Sequence, residues 1–229
     1  MGDWIAFWNS QHSIYVNARH CDVHFRAVAE DVCGYAPAGS RVLDFGCGEA
    51  LHAERIAARA QRLVLCEAAT NVRERLVGRF ADRGNIKVCA PEELDALAEN
   101  AFDVVVMHSV AQYLTAEELD ALIALFHRLL AVNGLFLLGD VIPPQVSAAT
   151  DAAALLRFAA ANGFLAAAVV GLMRTFLSDY WRLRTKIGLT RYGESEIMQK
   201  LSSAGFSAER ANRNIGHNPA RMTFLARKR

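Results

Sequence analysis

The sequence predicts a three-layer α/β fold, in which one central sheet lies between two layers of helices. Three observations predict it. Strand-like runs alternate with helical segments from residue 41 to residue 140, and a glycine-rich turn follows the first run. A short loop joins two further strand-like runs, at 207–213 and 221–227. Strands that alternate with helices pair in parallel, whereas strands joined by a short loop pair antiparallel. We therefore expect a sheet that is parallel except for one strand of a C-terminal hairpin.

The predicted elements follow one another at the spacing of βα units. Mixed aromatic and polar residues before residue 36 predict one or two helices that cap the core. The strand-like runs are residues 41–45, 62–67, 86–89, 102–108 and 135–140, with hairpin strands at 207–213 and 221–227. The helical segments are residues 49–60, 71–83, 92–99, 116–130 and 194–204. The run FDVVVMH at 102–108 is apolar almost throughout, which is typical of a parallel strand covered on both faces.

Length and composition favour a single domain. The chain has 229 residues, of which 53% are hydrophobic and 21% charged, and a core of that size is well buried. We divide it into a helical cap (1–36), a ligand-binding core (37–140), a helical insertion (141–193), and a last helix with the hairpin (194–229).

Charge and cysteine content exclude several classes of partner. The 25 basic and 24 acidic residues give a net charge of +1, so the chain has no overall electrostatic attraction to nucleic acid. Five cysteines without a CxxC pair predict reduced thiols in a cytoplasmic protein rather than a zinc site. The apolar stretch 152–177 is interrupted by glycine, asparagine and arginine, so it does not predict a membrane span. It is still compatible with peripheral contact at the inner face of a membrane.

The first strand ends in an acidic residue followed by two glycines. The segment VLDFGCGEA places Asp44 ahead of Gly46 and Gly48, and glycines let the backbone pass close to a ligand. The spacing differs from the GxGxxG of dinucleotide sites, and no P-loop lysine follows. A carboxylate at this position suits a cationic amino group better than a pyrophosphate; the alternative role of Asp44 is to cap the next helix.

The second strand also ends in a carboxylate, that of Glu67. Such a carboxylate accepts hydrogen bonds from both hydroxyls of a ribose in open α/β sheets. Because the carboxyl ends of neighbouring parallel strands share one edge, we expect Asp44 and Glu67 to serve one ligand.

As a set, these motifs resemble class I S-adenosylmethionine (SAM)-dependent methyltransferases, which have a Rossmann-like fold. VLDFGCGEA resembles motif I, FDVVV the strand-four motif, and LLAVNGL at 129–135 the turn before strand five. The resemblance covers about residues 40–139 and the final hairpin. It implies SAM as methyl donor and S-adenosylhomocysteine as product. It implies these contacts with SAM: Asp44, Gly46, Cys47 and Gly48 with the methionine part, Glu67 with the ribose, and Ala68 with the adenine.

Further SAM contacts are expected outside these motifs. The family often has an aspartate after strand three, but here Ala90 lacks a carboxylate and Pro91 lacks an N–H. We expect Glu92 to contact the adenine instead, the alternative being that this contact is lost. In related folds the N-terminal segment closes over SAM, so we expect Tyr15 or Arg19 to contact its carboxylate.

Two histidines, His108 and His217, are expected near the transferable methyl group. His108 ends strand four and is expected to lie beside both SAM and the acceptor as a base, with Tyr113 orienting the acceptor; the alternative is that both only pack. The hairpin loop brings His217, with Asn218 and Arg221, to the same edge. His20 and His24 share a helix face, but a metal would need a third ligand that the sequence does not show, so we expect none.

The insertion is the main indication of the acceptor. Apolar residues of 152–177 predict a lid over an apolar pocket, or alternatively part of the core or a homodimer interface. The basic and aromatic run 174–192 suits a membrane-facing rim or a solvated helical face. Together with the lack of a recognisable acid/base pair, the apolar lid favours a carbon acceptor in a lipid.

The whole chain also resembles, more distantly, bacterial methyltransferases that C-methylate unsaturated fatty acyl chains on the route to furan fatty acids. The sequence leaves two alternatives open. One is O- or N-methylation of a small polar or aromatic metabolite, and the other is a SAM-binding partner subunit without turnover.

Overall fold

The computed structural model describes residues 2–9, 15–175 and 188–229. Its strands are β1 (Arg41–Phe45), β2 (Arg62–Cys66), β3 (Ile86–Cys89), β4 (Phe102–His108), β5 (Leu130–Val141), β6 (Phe206–Arg210) and β7 (Met222–Lys228). Its helices are α1 (Gly2–Asn9), α2 (Ala18–Tyr35), α3 (Ala53–Ala57), α4 (Thr70–Arg79), α5 (Ala116–Leu129), α6 (Ala148–Asn162), α7 (Leu165–Thr175) and α8 (Glu194–Ser203).

The strands form one seven-stranded sheet in the order β3-β2-β1-β4-β5-β7-β6. Strands β1 to β5 pair in parallel, and β7 is antiparallel to both β5 and β6. This confirms the predicted sheet. The strand order reverses between β1 and β4, and in open α/β sheets ligands bind in the crevice beyond the carboxyl ends of strands at such a switch point.

Hydrophobic residues cover both faces of the sheet. Successive side chains of a strand point to opposite faces, so Leu43 and Val105 enter one buried cluster while Val42 and Val104 enter the other. The sheet therefore lies between two layers, as the sequence predicts.

The connections differ from prediction in three places, the first being the helix predicted at 49–60, which forms only at Ala53–Ala57. The helix predicted at 92–99 is a 3₁₀ turn of residues Pro91–Leu94, and residues 95–101 lead to β4 without a further helix. The hairpin prediction of a short loop is wrong, since β6 ends at Arg210 and β7 begins at Met222. Residues 211–221 are long enough to reach the edge where β4 and β5 end.

The insertion packs on the N-terminal cap. Phe164 and Ala168 of the α6–α7 pair form a small buried cluster with Val23 of α2. None of the described helices is long and apolar enough to cross a bilayer. Of the rim expected at 174–192, residues 176–187 lie outside the described residues. Tyr192 is buried in the core, and its backbone N–H donates to the carbonyl of Ile142. The assignment of Tyr192 to a surface rim is therefore wrong.

Candidate active site

The turn after β1 requires its two glycines. Gly46 and Gly48 have φ angles of +71° and +56°, a region that residues with a Cβ rarely adopt. A Cβ on Gly46 would lie 2.4 Å from the Cγ2 of Val110. The close neighbour of Gly46 is thus the segment after β4. The N–H of Gly46 donates to the carbonyl of Cys66 at 2.8 Å, which holds the turn against β2.

Glu67 is buried at the end of β2 and fixes the same turn. Its Oε2 accepts the N–H of Gly48 at 2.9 Å, and its Oε1 accepts the N–H of Ala69 at 2.8 Å. Burial raises the pKa of Glu67, and the N–H groups of Ala69 and Gly48 oppose that shift. Each carboxylate oxygen keeps a further lone pair, so Glu67 has acceptors left for a pair of hydroxyls.

Asp44 lies beside Glu67 without a donor among the described residues. Burial, and then the charge of Glu67, raise the pKa of Asp44 to about 7. A cation next to Asp44 would favour its charged form. The pair therefore fits a ligand that carries an ammonium group and a diol, and SAM carries both.

One large cavity joins these groups to the rest of the expected site. Its volume is about 1140 Å³, above the roughly 300–1,000 Å³ typical of a small-molecule site. The cavity therefore has room for the methyl donor together with an acceptor. Apolar side chains predominate in its lining, among them Trp4, Trp8, Phe25, Leu155 and Leu172.

The structure brings most of the predicted site residues to this cavity. The lining includes Tyr15, Asp44, Gly46, Cys47, Gly48, Glu67, Ala68, His108, Tyr113 and His217. Burial raises the pKa of Tyr15 well above its usual value, so its hydroxyl stays protonated and is a donor for a carboxylate.

Two of the predicted residues do not line the cavity. The exposed Arg19 donates through Nε to the carbonyl of Asn162 at 2.5 Å, at the C-terminal end of α6. A cation is favourable there because of the helix dipole. Glu92 is exposed on the 3₁₀ turn, while the neighbouring Glu93 accepts the N–H of Ala90 at 2.7 Å. The expected contacts of Arg19 and Glu92 with SAM are therefore not supported by their positions.

Four histidines meet at the acceptor side of the cavity. The ring centroid of His24 lies 5.9 Å from that of His217, 6.0 Å from His108 and 6.4 Å from His20. The sequence placed His108 and His217 at this edge, but it did not predict that His20 and His24 of α2 meet them there. No three His, Cys, Asp or Glu side chains in the described ranges are arranged to hold a metal ion.

The imidazoles of His20, His24 and His217 are proton acceptors rather than cations near neutral pH. Burial lowers the pKa of His20 to about 4 and that of His24 to about 3, and it also lowers the pKa of His217. Nε2 of His108 lies 3.2 Å from the carbonyl oxygen of Ile215. Since a carbonyl only accepts, Nε2 carries the proton and Nδ1 is left as the basic nitrogen.

A buried ionic network lies beside the histidines, and the sequence indicated only part of it. Asp140, the next-to-last residue of β5, accepts hydrogen bonds from Ser109 Oγ and Arg221 Nη1, both at 2.5 Å. Nη2 of Arg221 reaches Asp151 of α6 at 3.1 Å. Burial opposes the charge of Asp140, yet Arg221, His108 and the Ser109 and Asn214 hydrogen bonds together lower its pKa to about 2. Arg221 is therefore neutralised on both sides.

Aromatic rings close the cavity next to Tyr113. The ring of Tyr113 lies 4.6 Å from that of Trp4 and 6.0 Å from that of Trp8. Both tryptophans belong to α1, so the N-terminal helix forms a wall of the site.

Comparison with known proteins agrees with this geometry. A family model described as a methyltransferase domain matches residues 43–138, and no curated protein matches the chain. The fold is similar to N-methyltransferase NodS from Bradyrhizobium japonicum WM9, in complex with S-adenosylhomocysteine, with 17% identity over 92% of this chain and 87% of that chain (TM-score 0.56).

Two other solved structures share the fold. Magnesium protoporphyrin IX methyltransferase from Synechocystis PCC 6803, with bound S-adenosylhomocysteine, is 17% identical over 92% of this chain and 84% of that chain (TM-score 0.56). The CurJ carbon methyltransferase is 14% identical over 90% of this chain and 54% of that chain (TM-score 0.56). With the domain matched at residues 43–138 and its seven-stranded sheet, this chain carries a SAM-dependent methyltransferase domain with the class I fold.

Proposed function

We propose that this methyltransferase transfers the methyl group to a carbon of an unsaturated acyl chain in a lipid. The observation that carries the proposal is the cavity, which is large, mainly apolar, and continuous from Asp44 and Glu67 to Leu155 of α6 and Leu172 of α7. An alkyl chain gains about 0.8 kcal/mol for each CH₂ that it buries. A long apolar pocket therefore holds such a chain without strong hydrogen bonds.

The aromatic wall and the histidines suit the chemistry of an alkene. When bound, SAM supplies a methyl group on a sulfonium. The alkene π electrons form the new C–C bond as the C–S bond breaks, which leaves positive charge on the neighbouring carbon of the acyl chain. The π faces of Tyr113, Trp4 and Trp8 stabilise that charge.

Loss of a proton from a carbon next to the cation completes the reaction. The proton goes to a neutral imidazole, and the C–H electrons restore the double bond. His108 is the base in this proposal for two reasons: its Nδ1 is the basic nitrogen, and it lines the cavity. His217 belongs to the same group of four histidines. The products are the methylated alkene, S-adenosylhomocysteine and a proton. A base in this position also favours a catalytically active enzyme over a partner subunit that binds SAM without turnover.

A specific observation favours one alternative acceptor. The network of Asp140, Arg221 and Asp151 lines the same cavity and offers polar groups to a small metabolite with a hydroxyl or an amine. In that case His108 would take the proton of the O–H or N–H group. We rank this alternative second, because the charges of the network already satisfy one another.

Methyl-labelled SAM distinguishes the two acceptors. The purified enzyme is incubated with detergent-dispersed phospholipid carrying cis-monounsaturated chains and, in parallel, with the fully saturated lipid. We expect label in the acyl fraction of the unsaturated lipid only. His108→Gln should lower that rate by about 10²- to 10⁴-fold, as loss of a general base does, while SAM affinity stays unchanged. Label in a water-soluble metabolite of a cell extract, with none in acyl chains, would contradict the lipid proposal.

A further inference from the structure

Exposed large apolar side chains concentrate on one helix. Four of the six found in the described part of the chain lie on α7: Leu165 (45% exposed), Val169 (45%), Val170 (43%) and Met173 (60%). The other two, Val77 and Val132, lie on α4 and β5. Single exposed apolar residues are ordinary on protein surfaces, whereas a cluster marks a contact with another apolar surface.

The inner side of α7 is fixed by packing, so its outer face has a defined orientation. Ala168 is fully buried and Leu172 lines the cavity. Gly171 lies so close to the N-terminal cap that a Cβ there would be 2.2 Å from Cγ1 of Val16. The outer face of α7 and the wall of the cavity are therefore two sides of the same helix.

The exposed charges of the helix pair α6 and α7 have one sign. The exposed charged residues of the two described helices α6 and α7 are Arg157 and Arg174. Asp151, the one acidic residue of these helices, is bound to Arg221 and Asn218 beside the cavity. An apolar face flanked by arginines is complementary to a lipid layer with anionic headgroups.

We propose that the outer face of α7 docks on an anionic lipid bilayer. The inference rests on the proposed lipid acceptor and assigns the docking to α7, which overlaps the basic and aromatic run 174–192 only at its last two residues. Docking through this helix places the cavity one helix away from the lipid layer. An acyl chain then enters the cavity past Leu172 without exposing its length to water, which the hydrophobic effect opposes.

Vesicle co-sedimentation tests the docking without any methyl transfer. Vesicles contain saturated phosphatidylglycerol and phosphatidylcholine, and SAM is left out. We expect the wild-type protein to bind these vesicles and to bind pure phosphatidylcholine vesicles more weakly. The double variant Val169→Asp/Met173→Asp should bind at least tenfold more weakly, because it places two carboxylates on the apolar face. The matched control Val77→Asp/Val132→Asp, at sites of similar exposure, should bind like wild type.

Melting temperature and SAM affinity are measured on all variants, and both should be unchanged because the substituted side chains are exposed. Failure of the wild-type protein to bind anionic vesicles overturns the docking proposal, and so does equal binding by the α7 variant. A wild-type dimer that the α7 variant converts to a monomer, with vesicle binding intact, would also overturn it and make the face a subunit interface. Vesicle binding without label transfer to dispersed lipid would contradict the proposed acceptor alone.

Discussion

Glu67 connects the glycine turn of β1 to β2 through its two accepted N–H groups, and it is the residue placed to receive the ribose. Glu67→Ala removes a charged acceptor from two hydroxyls, at a cost of roughly 1.5–3 kcal/mol for a hydrogen bond to a charged group. We therefore expect SAM affinity to fall about 10- to 150-fold by calorimetry. Glu92→Ala, at an exposed carboxylate outside the cavity, is the control and should bind SAM like wild type. Unchanged affinity in the Glu67 variant would place the ribose elsewhere.

Asp44 makes SAM binding depend on pH. Its pKa of about 7 means that the free protein carries much of this group in the protonated form below neutrality. A bound ammonium favours the charged form, so binding releases a proton, and affinity should rise as the pH increases from about 5.5 to about 7. Calorimetry in buffers of different ionisation enthalpy measures the released proton. Asp44→Asn should bind more weakly and lose this dependence; a variant that keeps it would assign the proton to another group.

At the scale of elements, Arg221 joins the terminal loop to β5 and to α6. Arg221→Met leaves Asp140 and Asp151 buried without their shared cation, and breaking a buried ion pair in this way costs about 3–5 kcal/mol. We expect that loss in the free energy of unfolding measured in urea. The control is Arg210→Met, whose partner Glu194 lies with it on the surface, and which should cost less than about 1 kcal/mol. Equal losses in the two variants would show that the buried network does not stabilise the fold.

The sequence predicted the elements of the core better than their connections. The strands of residues 41–140 could be predicted because apolar runs and glycine turns are local signals. The segment 92–99 reads as a helix by composition, yet the structure forms only the turn Pro91–Leu94 there, because the position of β4 decides where the chain must go. The long loop 211–221 was equally beyond prediction, since its conformation depends on Asp140 and Asp151, which are distant in sequence.

For the whole molecule, the buried histidines couple stability to pH. The folded pKa of His24 is about 3, against roughly 6.5 in the unfolded chain, so the unfolded state binds more protons between these values. Stability from His24 is therefore full above pH 6.5 and lost as the pH falls, by about 2 kcal/mol at pH 5. Asp44, whose folded pKa is raised, contributes in the opposite direction over the same window.

Two variants separate these opposing contributions. His24→Phe should gain stability relative to wild type as the pH falls from about 7 to about 5, because it has no imidazole to charge. Asp44→Asn should lose stability relative to wild type over that interval. Urea unfolding at several pH values measures both differences. Parallel curves for wild type and His24→Phe would mean that His24 is already charged or solvated in the folded protein.

The cofactor half of the site was open to prediction, and the acceptor half was not. Asp44, Gly46 and Gly48 form one short motif, and Glu67 ends the next strand. The histidine cluster instead brings His24 together with His108 and His217, which lie 84 and 193 positions further along the chain. The sequence signals were the i, i+4 spacing of His20 and His24, the position of His108 at a strand end, and the terminal loop that places His217 at the same edge. Burial, which decides their protonation, appears only once the chain is folded.

The contact between Gly46 and Val110 makes two distant positions depend on each other during divergence. With a Cβ of residue 46 only 2.4 Å from Cγ2 of Val110, an alanine at position 46 is excluded while the valine remains. Replacing Val110 with alanine removes that clash but not the positive φ, so glycine stays favoured. Variation should therefore accumulate at position 110 first. The backbone of the glycine turn thus sets the order in which substitutions become acceptable. Homologues with a larger side chain at position 110 should keep glycine at position 46.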